Sequence, residues 1–141
     1  MEKKSGFRDL VAWQKADELA SATFRACGSL SPDARWLTNQ ILRCAISVPA
    51  NIAEGHGRGT QGELLRFLDI SRGSLSELEY YFHFLEGEGL LPAGILNELN
   101  ERRTETAKVL FGLWRSVKKM TNSDWDHSGK IREEAGEYYL N

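Results

Sequence analysis

The chain has 141 residues, 41% of them hydrophobic and 27% charged, which suits one domain with its own buried core and no need of metals or disulfides. That composition excludes the disordered, collagen-like and membrane classes. With 18 Lys and Arg against 20 Asp and Glu, the net charge of −2 falls short of the basicity of a dedicated nucleic-acid binder.

Met1-Glu2-Lys3-Lys4-Ser5-Gly6 contains no apolar run of the kind a signal peptide or a transmembrane span needs, so a cytoplasmic protein without a membrane partner is expected. A first helix is predicted over about residues 8–27, with Leu10, Val11, Leu19, Ala20, Thr23 and Phe24 inward and Gly28 ending it. Ser31-Pro32, an N-cap hydroxyl before a first-turn proline, opens a second helix over about 32–56. Leu37, Ile41, Cys44 or Ala45, Val48 and Ile52 share one of its faces, and Gly55 and Gly57 are expected to stop it. Pro49 cannot donate to the Ala45 carbonyl, which predicts a kink between them.

Thr60 and Glu63 have the form of a capping box for a third helix over about 61–88. Its seam is Leu64, Leu68, Ser71, Leu75, Leu78, Phe82 and Leu85, at alternating steps of four and three. A fourth helix over about 92–121 repeats the alternation with Leu96, Leu99, Arg103, Thr106, Leu110, Leu113, Val117 and Met120, and Lys118 and Lys119 suit its C-terminus. Short connections leave consecutive helices lying side by side, so the predicted fold is all-α, an antiparallel up-down four-helix bundle spanning residues 1–121. Residues 122–141 read as an acidic tail, partly disordered or with a short helix near Lys130 to Tyr139. The first 121 residues hold 16 basic and 15 acidic side chains and the remainder 2 and 5, so a nearly neutral bundle carries a tail of net −3. Cys27 and Cys44 are separated by roughly 18 Å of helix on this reading, beyond disulfide reach, and are expected as buried free thiols.

More apolar surface is written into these helices than one bundle uses. A second seam on the third helix runs Phe67, Ile70, Ser74, Glu77, Tyr81 and Phe84, while the fourth adds Ala107, Phe111 and Trp114, and the first two add Trp13 and Trp36. Either these rings pack at helix flanks or beneath the tail, or they mediate self-association. On the second reading Trp13, Phe67, Ile70, Tyr81, Phe84, Phe111 and Trp114 are the interface candidates.

Gly57, Gly59 and Gly62 match G-x-G-x-x-G, but a helix precedes them where a dinucleotide site needs a strand. The alternatives are a glycine-rich turn and a phosphate contact through Arg58 at the third helix's start. No His has a glutamate three residues before it, the cysteines lack zinc spacing, and no nucleophile has a local base. No catalytic residue, metal or cofactor is assigned. Asn51, Glu54, Arg66, Arg72 and Glu77 are either solvated or joined in a network in which Glu54 reaches Arg66 or Arg72 across two helices. Gly73 costs about 1 kcal/mol relative to Ala mid-helix, so a closely approaching helix is expected beside it.

Three segments resemble a known family. They are Phe7-Arg8-Asp9-Leu10-Val11-Ala12-Trp13-Gln14-Lys15-Ala16, then Ser47-Val48-Pro49-Ala50-Asn51-Ile52-Ala53-Glu54-Gly55 with Gly57-Arg58, and Arg66-Phe67-Leu68-Asp69-Ile70-Ser71-Arg72-Gly73-Ser74-Leu75-Ser76-Glu77-Leu78-Glu79. They resemble the four-helix-bundle proteins encoded in intervening sequences of bacterial 23S ribosomal RNA genes, over about residues 7–120. The resemblance implies a homopentameric ring, no enzyme activity and no established molecular function. A branch similar in fold, the accessory protein of diversity-generating retroelements, is a basic pentamer associated with nucleic acid and a reverse transcriptase. Five copies of this chain would instead carry about −10, and phosphate contacts need local cations. Those available are Lys3, Lys4, Arg8, Lys15, Arg58, Arg102, Arg103, Arg115, Lys118 and Lys119. The expected function is that of a non-enzymatic, self-associating binding or scaffold protein; the alternatives are a nucleic-acid-associated protein and a small-molecule or metal-binding bundle.

Overall fold

A computed structural model describes residues 6–120. Among these residues there are four α-helices and no strand: α1 (Val11–Cys27), α2 (Arg35–Gly57), α3 (Gln61–Gly87) and α4 (Ala93–Lys119), with 3-10 turns at Phe7–Asp9 and Pro32–Ala34. The tail from residue 122, with its predicted short helix, and Lys3 and Lys4 lie outside the described residues.

The main seams of α2, α3 and α4 line the core, with Arg103 and Met120 of the α4 seam only partly buried. Leu64, Leu68, Ser71, Leu75, Leu78, Phe82 and Leu85 of α3 are all buried, as are Leu96, Leu99, Thr106, Leu110, Leu113 and Val117 of α4. From α2 come Leu37, Ile41, Cys44, Ala45, Val48 and Ile52. The buried polar residues are satisfied locally or across a helix pair: Thr23 Oγ1 donates to the Leu19 carbonyl at 2.7 Å, and Ser71 Oγ to the Val48 carbonyl at 2.9 Å. Thr106 Oγ1 reaches the Arg102 carbonyl at 2.7 Å and the Lys15 carbonyl at 3.3 Å.

α1 keeps most of its predicted face, with Leu10, Leu19, Ala20 and Thr23 buried, but one member leaves it. Phe24, expected inward, is 63% exposed. The buried positions are Ala12, Ala16, Leu19, Ala20, Ala22, Thr23, Ala26 and Cys27, among which Ala12, Ala16, Leu19, Thr23 and Ala26 recur at steps of four and three, and Phe24 stands about 100° round the helix from Thr23. The inward stripe is therefore built largely of alanine. The helix also begins later than predicted, because Leu10 is extended at φ −73° and ψ 123° and separates Val11 from the preceding 3-10 turn.

α2 continues unbroken through Pro49 and past Gly55, so Gly55 does not stop it and Gly57 is its last residue. Carbonyls beside the proline are engaged by side chains, Asn51 Nδ2 donating to the Ser47 carbonyl at 2.7 Å and Ser71 to that of Val48. The chain reverses at Gly59, whose φ of +85° suits glycine, and again at Gly89, with φ +64°. Ser31 Oγ accepts from the Asp33 N–H at 3.3 Å and Thr60 Oγ1 from the Glu63 N–H at 3.2 Å.

Close approach of α2 and α3 occurs at Gly55. A Cβ there would stand 2.7 Å from the Phe67 Cβ and 3.2 Å from Leu64 Cδ1. At Gly73, where the sequence predicts a tight neighbour, a Cβ would meet nothing within 4 Å. Nearer the middle of the pair, Cys44 Sγ donates to the Ser74 carbonyl at 3.1 Å and the hydroxyls of Ser47 and Ser74 are bonded. Between α3 and α4, Gln61 Nε2 holds the Val117 and Met120 carbonyls at 2.6 and 3.0 Å.

Candidate interaction surfaces

Residues of opposite charge three or four apart on a helix are neighbours without any tertiary folding, and here they settle the polar positions. Glu54 Oε1 pairs with Arg58 at 2.8 Å, Arg66 with Glu63 at 3.2 Å, and Arg72 with Asp69 at 3.4 Å. Glu77 Oε1 accepts from the Tyr81 hydroxyl at 2.9 Å. The expected cross-helix network from Glu54 to Arg66 or Arg72 does not form, because each member meets a partner within its own turn and keeps much of its surface in water.

The interface candidates divide. Phe67 is buried against Gly55 and is no surface residue. Trp13 is half-buried, edge-on to Phe7 with ring centroids 5.1 Å apart. Tyr81, Phe84 and Trp114 are half-buried against the core, whereas Ile70 and Phe111 are exposed. Trp36, Phe24, Ile46 and Tyr80 are more exposed still, at 66%, 63%, 53% and 59%. Of these, only Trp36 stands out in the sequence as surplus; single apolar residues on an outer face carry no periodic signal.

The cations fall into engaged and unengaged sets. Arg58 is held by Glu54 and lies over the Phe67 ring at 5.3 Å, so its guanidinium is already committed. Arg102 pairs with Glu98 and Glu18, and Lys15 with Glu105. Arg103 is largely buried, its side chain 14% exposed, with Glu79 at 3.7 Å. Arg8 lies over the Phe7 ring at 4.7 Å. Arg115, Lys118 and Lys119 have no carboxylate within ion-pair distance among the described residues.

Two of those last cations belong to a cluster that no single helix displays. Phe111 and Trp114 of α4 stack, with centroids 6.0 Å apart and planes at 12°. Arg72 reaches across from α3 to both rings, 5.3 Å from Phe111 and 4.8 Å from Trp114. Arg115 lies 5.7 Å over Phe111 and Lys118 Nζ 4.5 Å over Trp114. Each such contact contributes about 0.5–1 kcal/mol at an exposed site through the ring quadrupole. Beside the cluster an open groove of about 440 Å³ runs between α3 and α4, lined by residues including Arg72, Gly73, Ser76, Arg103 and Phe111. Arg103 Nε and Trp114 Nε1 are buried without an acceptor among the described residues.

Burial pushes the Cys27 and Cys44 thiols up to about 11 and about 12, so both are held as thiols at neutral pH, and neither forms a disulfide. His56 is held below its ordinary value by burial, partly offset by Asp9. Among the described residues, no group of three or more His, Cys, Asp and Glu stands together as a metal site, and no helix is long and apolar enough to cross a membrane.

Residues 8–112 match the model of the 23S rRNA-intervening sequence protein family, and the chain belongs to that family. No curated protein matches the chain.

Proposed function

We propose that this member of the 23S rRNA-intervening sequence protein family, for which no molecular function is established, is a non-enzymatic cytoplasmic scaffold or binding module that works as a self-assembled ring. The unit of assembly is an antiparallel up-down four-helix bundle. Cys44 beside Ser74 and Gly55 beside Phe67 support opposed directions for α2 and α3, and Lys15 beside Glu105 with Glu18 beside Arg102 support the same for α1 and α4.

Self-association rests chiefly on the outer face of α3, where Ile70 and Tyr80 are 41% and 59% exposed. A single bundle gains nothing from holding large apolar groups in water, and such residues mark association sites. A homopentamer is the assembly that the family resemblance implies. Light scattering after size exclusion tests it: a particle several times 15.9 kDa is expected, reduced in mass by Ile70→Glu with Tyr80→Glu. A monomer at micromolar concentration defeats the reading.

A nucleic-acid partner is the second reading, and it is favoured by Arg115, Lys118 and Lys119, which have no carboxylate partner among the described residues, the first two lying over the stacked rings. Binding to structured RNA over a salt series tests it. Affinity should fall steeply as salt rises, since phosphate contacts release counterions; salt-independent binding, or none at low salt, counts against it.

A further inference from the structure

The face built by Arg72, Phe111, Trp114, Arg115 and Lys118 has donors and cations in excess. Its rings are covered by positive groups, and among the described residues only Asp69 supplies a carboxylate, to Arg72. What complements it is an acidic segment with an aromatic residue of its own. The chain carries one shortly after α4: Asp124-Trp125-Asp126, within a stretch from 122 onward holding 5 acidic and 2 basic side chains.

We propose that the Asp124-Trp125-Asp126 segment docks on this face of its own chain, its two carboxylates on Arg72, Arg115 and Lys118 and its indole beside Phe111. The α4 helix stops at Met120, whose φ of −65° and ψ of 138° leave the chain extended. From Met120 back to Phe111 is about 14 Å along the helix at 1.5 Å per residue. Residues four to six places beyond Met120 reach roughly 13–20 Å when extended, so the triplet spans the distance once the chain turns back. Tethering supplies a local concentration on the order of millimolar, so individually weak exposed contacts suffice where an untethered acidic partner would dissociate. The same path continues into the groove past Gly73 and Ser76. Docking therefore keeps the cationic face occupied until a stronger anionic ligand displaces the tail. It is independent of self-association, which uses the outer face of α3.

Disulfide trapping in the full chain tests this. Ser128→Cys is combined with Ser76→Cys in the groove, and in a control with Gln14→Cys on α1, which packs along the other flank of α4; the native Cys27 and Cys44 are buried. The expected result is an intrachain disulfide between positions 128 and 76 that forms about tenfold faster than the control bond at low salt, an advantage abolished by 1 M salt or by Arg115→Glu with Lys118→Glu. Equal rates for the two pairs overturn the proposal, because they describe a tether that does not dock. An advantage untouched by salt and charge reversal also overturns it. Disulfide-linked dimers in place of intrachain bonds place the segment on a second copy and refute docking in cis.

Discussion

Two glycines inside helices, Gly55 and Gly73, should respond differently to the same substitution. Gly→Ala in a helix interior gains about 1 kcal/mol from backbone entropy alone. At Gly73 nothing opposes it, since an added Cβ meets no atom within 4 Å. At Gly55 the new Cβ stands 2.7 Å from the Phe67 Cβ, an atom fixed by the α3 backbone that cannot swing away like the end of a long side chain. Restoring ordinary contact, at 3.4 Å or more, requires α2 and α3 to separate by about 0.7 Å, and overpacking of this kind costs typically 1–3 kcal/mol. Gly55→Ala should thus be neutral to about 2 kcal/mol destabilising, while Gly73→Ala stabilises by about 1 kcal/mol. Urea unfolding measures the difference directly, and in thermal melts each kcal/mol corresponds to roughly 3–6 °C for a helical region of this size. Phe67→Ala should not rescue Gly55→Ala, because alanine retains the offending Cβ. If Gly55→Ala proves as stabilising as Gly73→Ala, the reasoning from close helix approach is wrong.

Ser71→Ala removes the buried hydroxyl that serves the Val48 carbonyl next to Pro49 and should cost about 1 kcal/mol in urea unfolding, as an ordinary buried hydrogen bond does. Glu54→Ala should change thermal stability by less than about 0.5 kcal/mol, since it deletes only an exposed pair one turn apart; a loss of several kcal/mol would restore the cross-helix network. Both cysteines hold their protons more tightly when folded, with thiols raised from 9.0 to about 11 and about 12. Their contribution to stability is therefore complete below pH 9 and is lost as pH rises through the folded values, where the unfolded chain binds fewer protons. Unfolding midpoints followed from about pH 8 to about pH 11 should fall less in Cys27→Ala and Cys44→Ala than in the native chain, each compared with its own value at the lower pH. Native-state labelling by a thiol reagent at about pH 8 should be slow and should track unfolding; fast labelling would show the thiols to be accessible.

The core is legible in residue order because a helix repeats every 3.6 residues and writes its buried face into the sequence. Leu64 to Leu85 and Leu96 to Val117 need no partner to be recognised as seams, and the family follows from motifs along the same stretches. α1 is harder to read. Its inward stripe includes Ala12, Ala16 and Ala26, residues small enough to sit anywhere, so Phe24 is placed inward by its hydrophobicity alone.

Tertiary structure decided everything that depends on which helix lies opposite. Gly55 and Gly73 are the same residue in similar settings, and only the position of Phe67 leaves one without room for a Cβ. Glu54, Arg66 and Arg72 read as a network in a list of charges, but each folds beside a partner three or four residues away, the contact that costs least conformational entropy. Arg72 and Trp114 stand 42 positions apart and meet only because α3 packs on α4. A periodic pattern specifies one face of one helix; the juxtaposition of two faces is a property of packing, and the cation-covered aromatic surface exists at that level alone.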